Sequence, residues 1–282
     1  MEVKQLLSWK KTINMEIFII LSFFCLFIVC YYFPTRRIKK TDIGLSHYAH
    51  RGLYNHGTDI PENSMMAFRK AKHLGFGCEL DIQCTKDGKV VVFHDDNLLR
   101  MTGFDGILET INYSEIKDLR LNQTEEKIPL FKDVLDLELK ELIIEIKSTK
   151  ARSKIILAVL KELKSYRGKF SICSFDPLIL LELKQHAPMI FRGLIMEYIE
   201  TSKNVPLFQK WLLNYGLLFG FIRPDYISMN YKDINIIYRL FRWLGGRTLV
   251  WTVKDIKIES DLKGNVDGII FENYLSNTKN NV

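Results

Sequence analysis

The first pattern along the chain is an unbroken apolar run, Ile17 to Phe33 (IFIILSFFCLFIVCYYF), with no charged residue and only Ser22 clearly polar. As a helix rising 1.5 Å per residue it is roughly 25 Å long, near the lower limit for spanning a bilayer. Tyr31 and Tyr32 at one end suit a membrane interface, and Pro34 stops the helix. A cleaved signal peptide needs a shorter apolar stretch and small residues at the cut, which Tyr31-Tyr32-Phe33-Pro34 does not offer. Lipid attachment at Cys30 would want a small residue where Val29 stands. A buried core helix is disfavoured, because the run is apolar all round and lies outside the domain that follows. The expectation is one N-terminal transmembrane helix over 17–33. A short basic segment, 1–16, precedes it, and a basic juxtamembrane linker, 34–46, follows.

Beyond the linker, short β-branched runs alternate with amphipathic stretches. The strand-like runs are His47–His50, Cys78–Gln83, Val90–His94, Leu142–Ile146, Phe170–Ser174, Phe191–Met196, Asp225–Met229, Thr248–Val253 and Gly268–Glu272. The helix-like runs include Ser64–Leu74, Ser153–Leu163, Pro177–Gln185, Leu207–Phe221 and Asn235–Leu244. Strands alternating with helices imply βαβ units and a parallel sheet. The length of this region suits an irregular (β/α)8 TIM barrel over residues 47–282. Nine runs are one too many. Too few residues separate Cys78–Gln83 from Val90 for a crossover helix, and Lys86-Asp87-Gly88 is a turn signal, so one run is expected to be a hairpin partner. The Leu207–Ile222 region is unusually apolar for a barrel-surface helix. It is either buried or, through Trp211, Leu212, Tyr215, Leu218 and Phe219, a second contact with lipid.

Charge sharpens the membrane reading. The 282-residue chain has 40 Lys and Arg against 33 Asp and Glu, a net charge of +7. Residues 1–40 hold seven basic and two acidic residues, +5, so the remainder carries +7 − 5 = +2. A near-neutral folded domain lacks the basic stripe that nucleic acid requires, and the basic flanks instead match lipid head groups. The expected location is a cell membrane, crossed once. The basic residues on the two sides of the run are too evenly divided to fix the side of the domain. Five cysteines in a chain this long do not form a disulfide scaffold, and Cys78, Cys84 and Cys173 have the character of small core residues.

Chemically capable residues gather at the ends of the strand-like runs, where a (β/α)8 barrel builds its site. His50-Arg51-Gly52 ends the first run and could combine proton transfer with anion binding. Pro61-Glu62-Asn63-Ser64 starts a helix, with Asn63 or Ser64 as its N-cap. In Glu79-Leu80-Asp81, alternation places both carboxylates on one face, where they repel unless a cation lies between them; Mg2+ or Ca2+ suits such oxygens. His94-Asp95 ends the third run. Glu145 and Lys147 share a face of an otherwise apolar strand, one a third carboxylate and the other facing a phosphate. Trp251 could wall the pocket or simply pack in the core.

The order His50-Arg51-Gly52, Glu62-Asn63, Glu79-x-Asp81, Thr85-Lys86-Asp87-Gly88, His94-Asp95, Glu145-x-Lys147, Ser174-Phe175 and Trp251-Thr252 resembles the glycerophosphodiester phosphodiesterase family, from about Tyr48 to Asn273. The resemblance implies hydrolysis of glycerophosphodiesters to glycerol 3-phosphate and an alcohol, with one divalent cation. It places the metal on Glu79, Asp81 and Glu145, acid–base catalysis on His50 and His94, and phosphate binding on Arg51 and Lys147. Trp251 then belongs to the substrate pocket, with Glu62 and Asn63 in support. A lysophospholipid or a glycerophosphate polymer is the alternative substrate, and a non-catalytic lipid-binding barrel the more distant one. The chain departs from the family at Glu272-Asn273-Tyr274, where Asp-Asn-Pro is frequent.

Overall fold

The computed structural model describes residues 2–32, 46–55, 59–197 and 218–276, with side chains from residue 16 onward. Eight parallel strands close into a barrel: β1 (His47–Ala49), β2 (Gly77–Cys84), β4 (Glu141–Ile146), β5 (Lys169–Ser174), β6 (Arg192–Met196), β7 (Tyr226–Asn230), β8 (Arg247–Val253) and β9 (Gly268–Phe271). Each pairs with the next, and β1 pairs with both β9 and β2, so no parallel edge is left open. The ninth expected run, β3 (Val90–Val92), is the hairpin partner: it lies antiparallel on β2. The turn closes as the sequence signals, with Gly88 N–H donating to Thr85 O at 2.9 Å and Gly88 at φ +85°.

Alternation divides the strand residues between two cores. Inside the barrel, Tyr48, Ile143, Cys173, Ile195, Tyr226, Leu249 and Ile270 pack on one another. The opposite strand faces, including Cys78, Leu80, Ile82, Ile144 and Ile172, pack outward on the helices. That layer contains α2 (Met65–His73), α6 (Arg152–Leu163), α7 (Pro177–His186), α9 (Ile236–Trp243) and α10 (Ile256–Leu262). Between β3 and β4 the chain forms an insert with its own small core of Phe93, Leu98, Met101, Leu108, Ile116, Leu121 and Ile128. The insert carries the short helices α3 (Leu99–Thr102) and α4 (Tyr113–Ile116), and α5 (Phe131–Leu135) leads back to β4. Sequence periodicity does not reveal these three elements, because helices of four or five residues make barely one turn.

The N-terminal helix α1 runs Glu2–Tyr32 without a break, across the boundary expected at residue 16. Among the described residues no helix is long and apolar enough to cross a membrane. The transmembrane helix expected at 17–33 is therefore not confirmed. The described apolar section, Ile17–Tyr32, is about 24 Å long, short of the roughly 30 Å hydrocarbon layer. Tyr32, expected at a membrane interface, is instead buried, its ring 5.4 Å from that of Phe219 in α8 (Phe219–Ile222). Phe219 and Ile222 are buried in turn, so of the two readings offered for this region Phe219 follows burial and not lipid contact, and Leu218 is half-buried. Trp211, Leu212 and Tyr215 lie outside the described residues.

Candidate active site

The site is built at the C-terminal ends of the strands. β2 places Glu79 and Asp81 on the inner face, and β4, paired with it in register Asp81 to Glu145, adds the third carboxylate. One oxygen from each of Glu79, Asp81 and Glu145 lies within 4.8 Å of the others, and all three residues are buried. Burial pushes Glu79 well above the usual carboxylate range, reinforced by the charges of Asp81 and Glu145. Burial and Asp81 push Glu145 up to about 7. Asp81 is equally buried, yet Lys147, Arg51, His94 and the Asn63 amide hold it below the usual range. One acid is thus kept ionised by its neighbours, while the other two lack enough positive charge. Three hard oxygens, two of them short of counter-charge, fit a divalent cation such as Mg2+ or Ca2+.

Two cations border the triad. Lys147 Nζ donates to Glu145 Oε1 at 2.8 Å and lies 3.5 Å from Asp81 Oδ1. Arg51 follows β1 in a tight turn in which Arg51 (φ +53°) and Gly52 (φ +78°) are both left-handed. Only glycine fits at position 52, because a Cβ there would sit 2.8 Å from the Ala67 Cβ. The turn aims the Arg51 N–H at Glu79 Oε2 (3.1 Å) and its guanidinium at Glu62 Oε1 (2.8 Å) and Asp81 Oδ2 (3.3 Å). Asn63 Nδ2 donates to Asp81 Oδ2 at 2.9 Å. The N-cap of α2 is Ser64, which accepts from the Ala67 N–H, so Asn63 is left to serve the site.

Each histidine has a carboxylate behind it. His50 Nδ1 lies 2.5 Å from Glu272 Oε2, and His94 Nδ1 lies 2.7 Å from Asp95 Oδ1. A carboxylate acceptor requires the proton on Nδ1, which leaves Nε2 as the nitrogen that takes or gives a proton. β3 returns the chain to the level of the triad, where Phe93 N–H donates to Asp81 O at 3.0 Å. Gln83 holds the next residues in place, its Nε2 donating to the carbonyls of Phe93 and Asp95. Burial, with Lys147 and Arg51, lowers the His94 pKa against the pull of Asp81 and Asp95. Trp251 lies near the C-terminal end of β8 with its ring 5.6 Å from Phe175 and nearly perpendicular to it; its buried indole N–H has no hydrogen-bond partner among the described residues.

The structure therefore joins Arg51, Glu62, Asn63, Glu79, Asp81, His94, Glu145 and Lys147 in one network of contacts, with the His50–Glu272 pair and Trp251 at the same end of the barrel. It also adds residues to which the sequence assigns no role. Glu272 accepts from His50, from Tyr54 Oη at 2.7 Å and from Lys254 Nζ at 2.5 Å. Despite its burial, those donors hold it well below the usual carboxylate range. Arg100, on α3 of the insert, bridges Asp95 and Glu62 through Nε and Nη2. Glu272 stands at the end of the last strand, as the other site acids stand at theirs, a signal that could have marked it. No local pattern marks Arg100.

Comparison with known proteins agrees with this geometry. Residues 50–275 match the glycerophosphoryl diester phosphodiesterase family. A glycerophosphodiester phosphodiesterase of Caldanaerobacter subterraneus is 30% identical over 242 residues, covering 79% of this chain and 91% of that protein. The crystal structure of a Thermotoga maritima glycerophosphodiester phosphodiesterase shares 28% identity with a TM-score of 0.62, covering 80% of this chain and 94% of that one. An Oleispira antarctica phosphodiesterase, solved with its product sn-glycerol-3-phosphate, has the same fold at 22% identity and a TM-score of 0.69, over 81% of this chain and 92% of that one. With the family match over residues 50–275 and a relative 30% identical across most of both chains, the chain is an enzyme of the glycerophosphoryl diester phosphodiesterase family.

Proposed function

We propose that this enzyme hydrolyses glycerophosphodiesters to glycerol 3-phosphate and an alcohol, with a divalent cation held by Glu79, Asp81 and Glu145. The observation that carries the mechanism is the pair of imidazoles, each fixed through Nδ1 by a carboxylate, beside one buried acidic triad and two cations. A bound cation would neutralise phosphoryl charge as a Lewis acid. Arg51 and Lys147 supply further positive charge where the transition state becomes more anionic. One histidine removes a proton from the attacking hydroxyl or water through Nε2, and the other protonates the departing ester oxygen through the same atom. Glu272 and Asp95 stabilise each imidazolium as it forms. Trp251, with Phe175, walls the substrate; Glu62 and Asn63 hold Arg51 and Asp81 in position.

Replacing either His50 or His94 by Ala should lower kcat by at least about 10²-fold, the usual scale of acid–base catalysis. An unchanged rate in either variant would overturn that histidine's role, and activity that persists after exhaustive chelation would overturn the metal. A panel of glycerophosphodiester, lysophospholipid and glycerophosphate polymer, with the products identified, separates the substrate readings. The same proposal attaches the enzyme to a membrane through α1, supported by the exposed apolar side chains of Phe18, Ile20, Phe23, Phe24, Leu26 and Phe27 and by the basic flanks.

A further inference from the structure

The two ends of a (β/α)8 barrel differ, and α1 is fixed near one of them. α8 leads into β7 through only Arg223, Pro224 and Asp225, so it lies at the N-terminal end of that strand. The last turn of α1 docks there. Tyr32 packs on Phe219, which packs in turn on Phe241 near the C-terminus of α9, and the Tyr31 ring lies over Gly220. The next described residue after α1, Ser46, enters β1 from the same end of the barrel. Above its last turn α1 leaves the barrel: Ile17–Phe27 are exposed, and Ile28, Val29, Tyr31 and Tyr32 make its core contacts.

Beside this foot lies an apolar patch. Met189, Phe221 and Trp243 are 79%, 63% and 76% exposed, and each stands just before its strand, β6, β7 or β8. Those strands are neighbours in the sheet, so topology sets the three side chains on one face. The patch is bordered by basic groups. Lys184 Nζ donates to Phe221 O at 2.8 Å and lies in the field of Arg192 and Arg223. The acid nearest in sequence, Asp225, is fully buried and bonds the Arg192 N–H. Apolar side chains among cations match an anionic lipid surface. A second copy of this chain would bring like charges together.

We infer that the barrel rests on anionic lipid with the face at the N-terminal ends of β6, β7 and β8, so that the diester site opens away from the bilayer and takes diesters dissolved in water in preference to lipid held in the membrane. The inference rests on the proposed membrane contact of α1 and on the proposed hydrolysis. Along β8, about 13 Å separates Arg247 at the lipid-facing end from Trp251 near the site. A lysophospholipid seated in the same bilayer would have to leave it to reach Trp251, His50 and the triad.

The test uses the full chain on vesicles of three parts phosphatidylcholine to one part phosphatidylglycerol, with Cys25 and Cys30 replaced by Ser. A nitroxide is attached either at Trp243→Cys or at Lys150→Cys, in the loop after β4 at the opposite end. The ratio of relaxation by oxygen to relaxation by an aqueous nickel chelate should be at least about tenfold higher at 243 than at 150, as expected for a side chain several ångströms into the interface. Equal or reversed ratios overturn the orientation. A label at 243 shielded from both reagents and broadened by a second label overturns the lipid in favour of a second copy. On the same vesicles a water-soluble glycerophosphodiester should be cleaved at least about tenfold faster than vesicle-held lysophospholipid, a gap of roughly 1.4 kcal/mol; equal rates overturn the substrate consequence. If no glycerophosphodiester is cleaved, the catalytic proposal fails while the label result still decides the orientation.

Discussion

Removing the cation should make this protein lose stability as the pH rises, the reverse of ordinary acid denaturation. Glu145 has an ordinary value of 4.5 and reaches about 7 in the folded chain. Between those values the folded state binds more protons than the unfolded state, so stability falls with rising pH and levels off above about 7. The 2.5-unit difference corresponds to about 3 kcal/mol at 1.36 kcal/mol per unit. Glu79 is shifted in the same direction by the same burial and adds to the loss, while His94 and His47, both lowered by burial, favour the folded state as the pH rises and offset part of it. For a domain of this size about 3 kcal/mol lowers Tm by roughly 6–12 °C. The assay is a thermal melt in chelator from pH 5 to 8, repeated with Mg2+ or Ca2+. A cation at about 100 times its Kd returns about 2.7 kcal/mol, most of the loss. Glu145→Gln should flatten the chelated profile by removing one titrating acid. A chelated Tm that holds constant or rises from pH 5 to 8, or one at pH 8 that neither cation raises, would refute the reasoning about the triad.

Three further outcomes follow from the site. Glu272→Gln keeps the size of the side chain but offers His50 an amide that can favour the wrong tautomer; kcat should fall on the order of 10²–10³-fold with KM nearly unchanged, and a fall of less than threefold in steady-state kinetics would remove Glu272 from the mechanism. Gly52→Ala should destabilise by about 2 kcal/mol or more in denaturant titration, since the left-handed backbone and the 2.8 Å approach to Ala67 both oppose a Cβ. Arg100→Ala should lower kcat by about tenfold while costing less than about 1 kcal/mol of stability, because Arg100 is half-exposed but orients both Asp95 and Glu62. A large loss of stability with normal kcat would make Arg100 a purely structural tie.

Much of this architecture is written in local periodicity. Alternation along Gly77–Cys84 is enough to put Glu79 and Asp81 on one face. The short gap before Val90 is enough to make a hairpin there. Those features depend on neighbours two to eight residues apart, whose relation the backbone geometry dictates. Closure of the barrel is different. His50 and Glu272 meet across 222 residues because β1 pairs with β9, and no local pattern encodes that distance. Arg100 reaches Glu62 and Asp95 only because the insert folds on its own small core and presents α3 to the barrel rim. The apolar run at 17–33 could be recognised as a helix, but not the capture of its last turn by the barrel. Tyr32 is buried on Phe219 because the chain between β6 and β7 brings α8 beneath it. Which residue types stand at which strand ends is legible in the chain. Which of them share charge and protons is set by the folded barrel, because contacts between distant segments arise from barrel closure and packing, which no local periodicity contains.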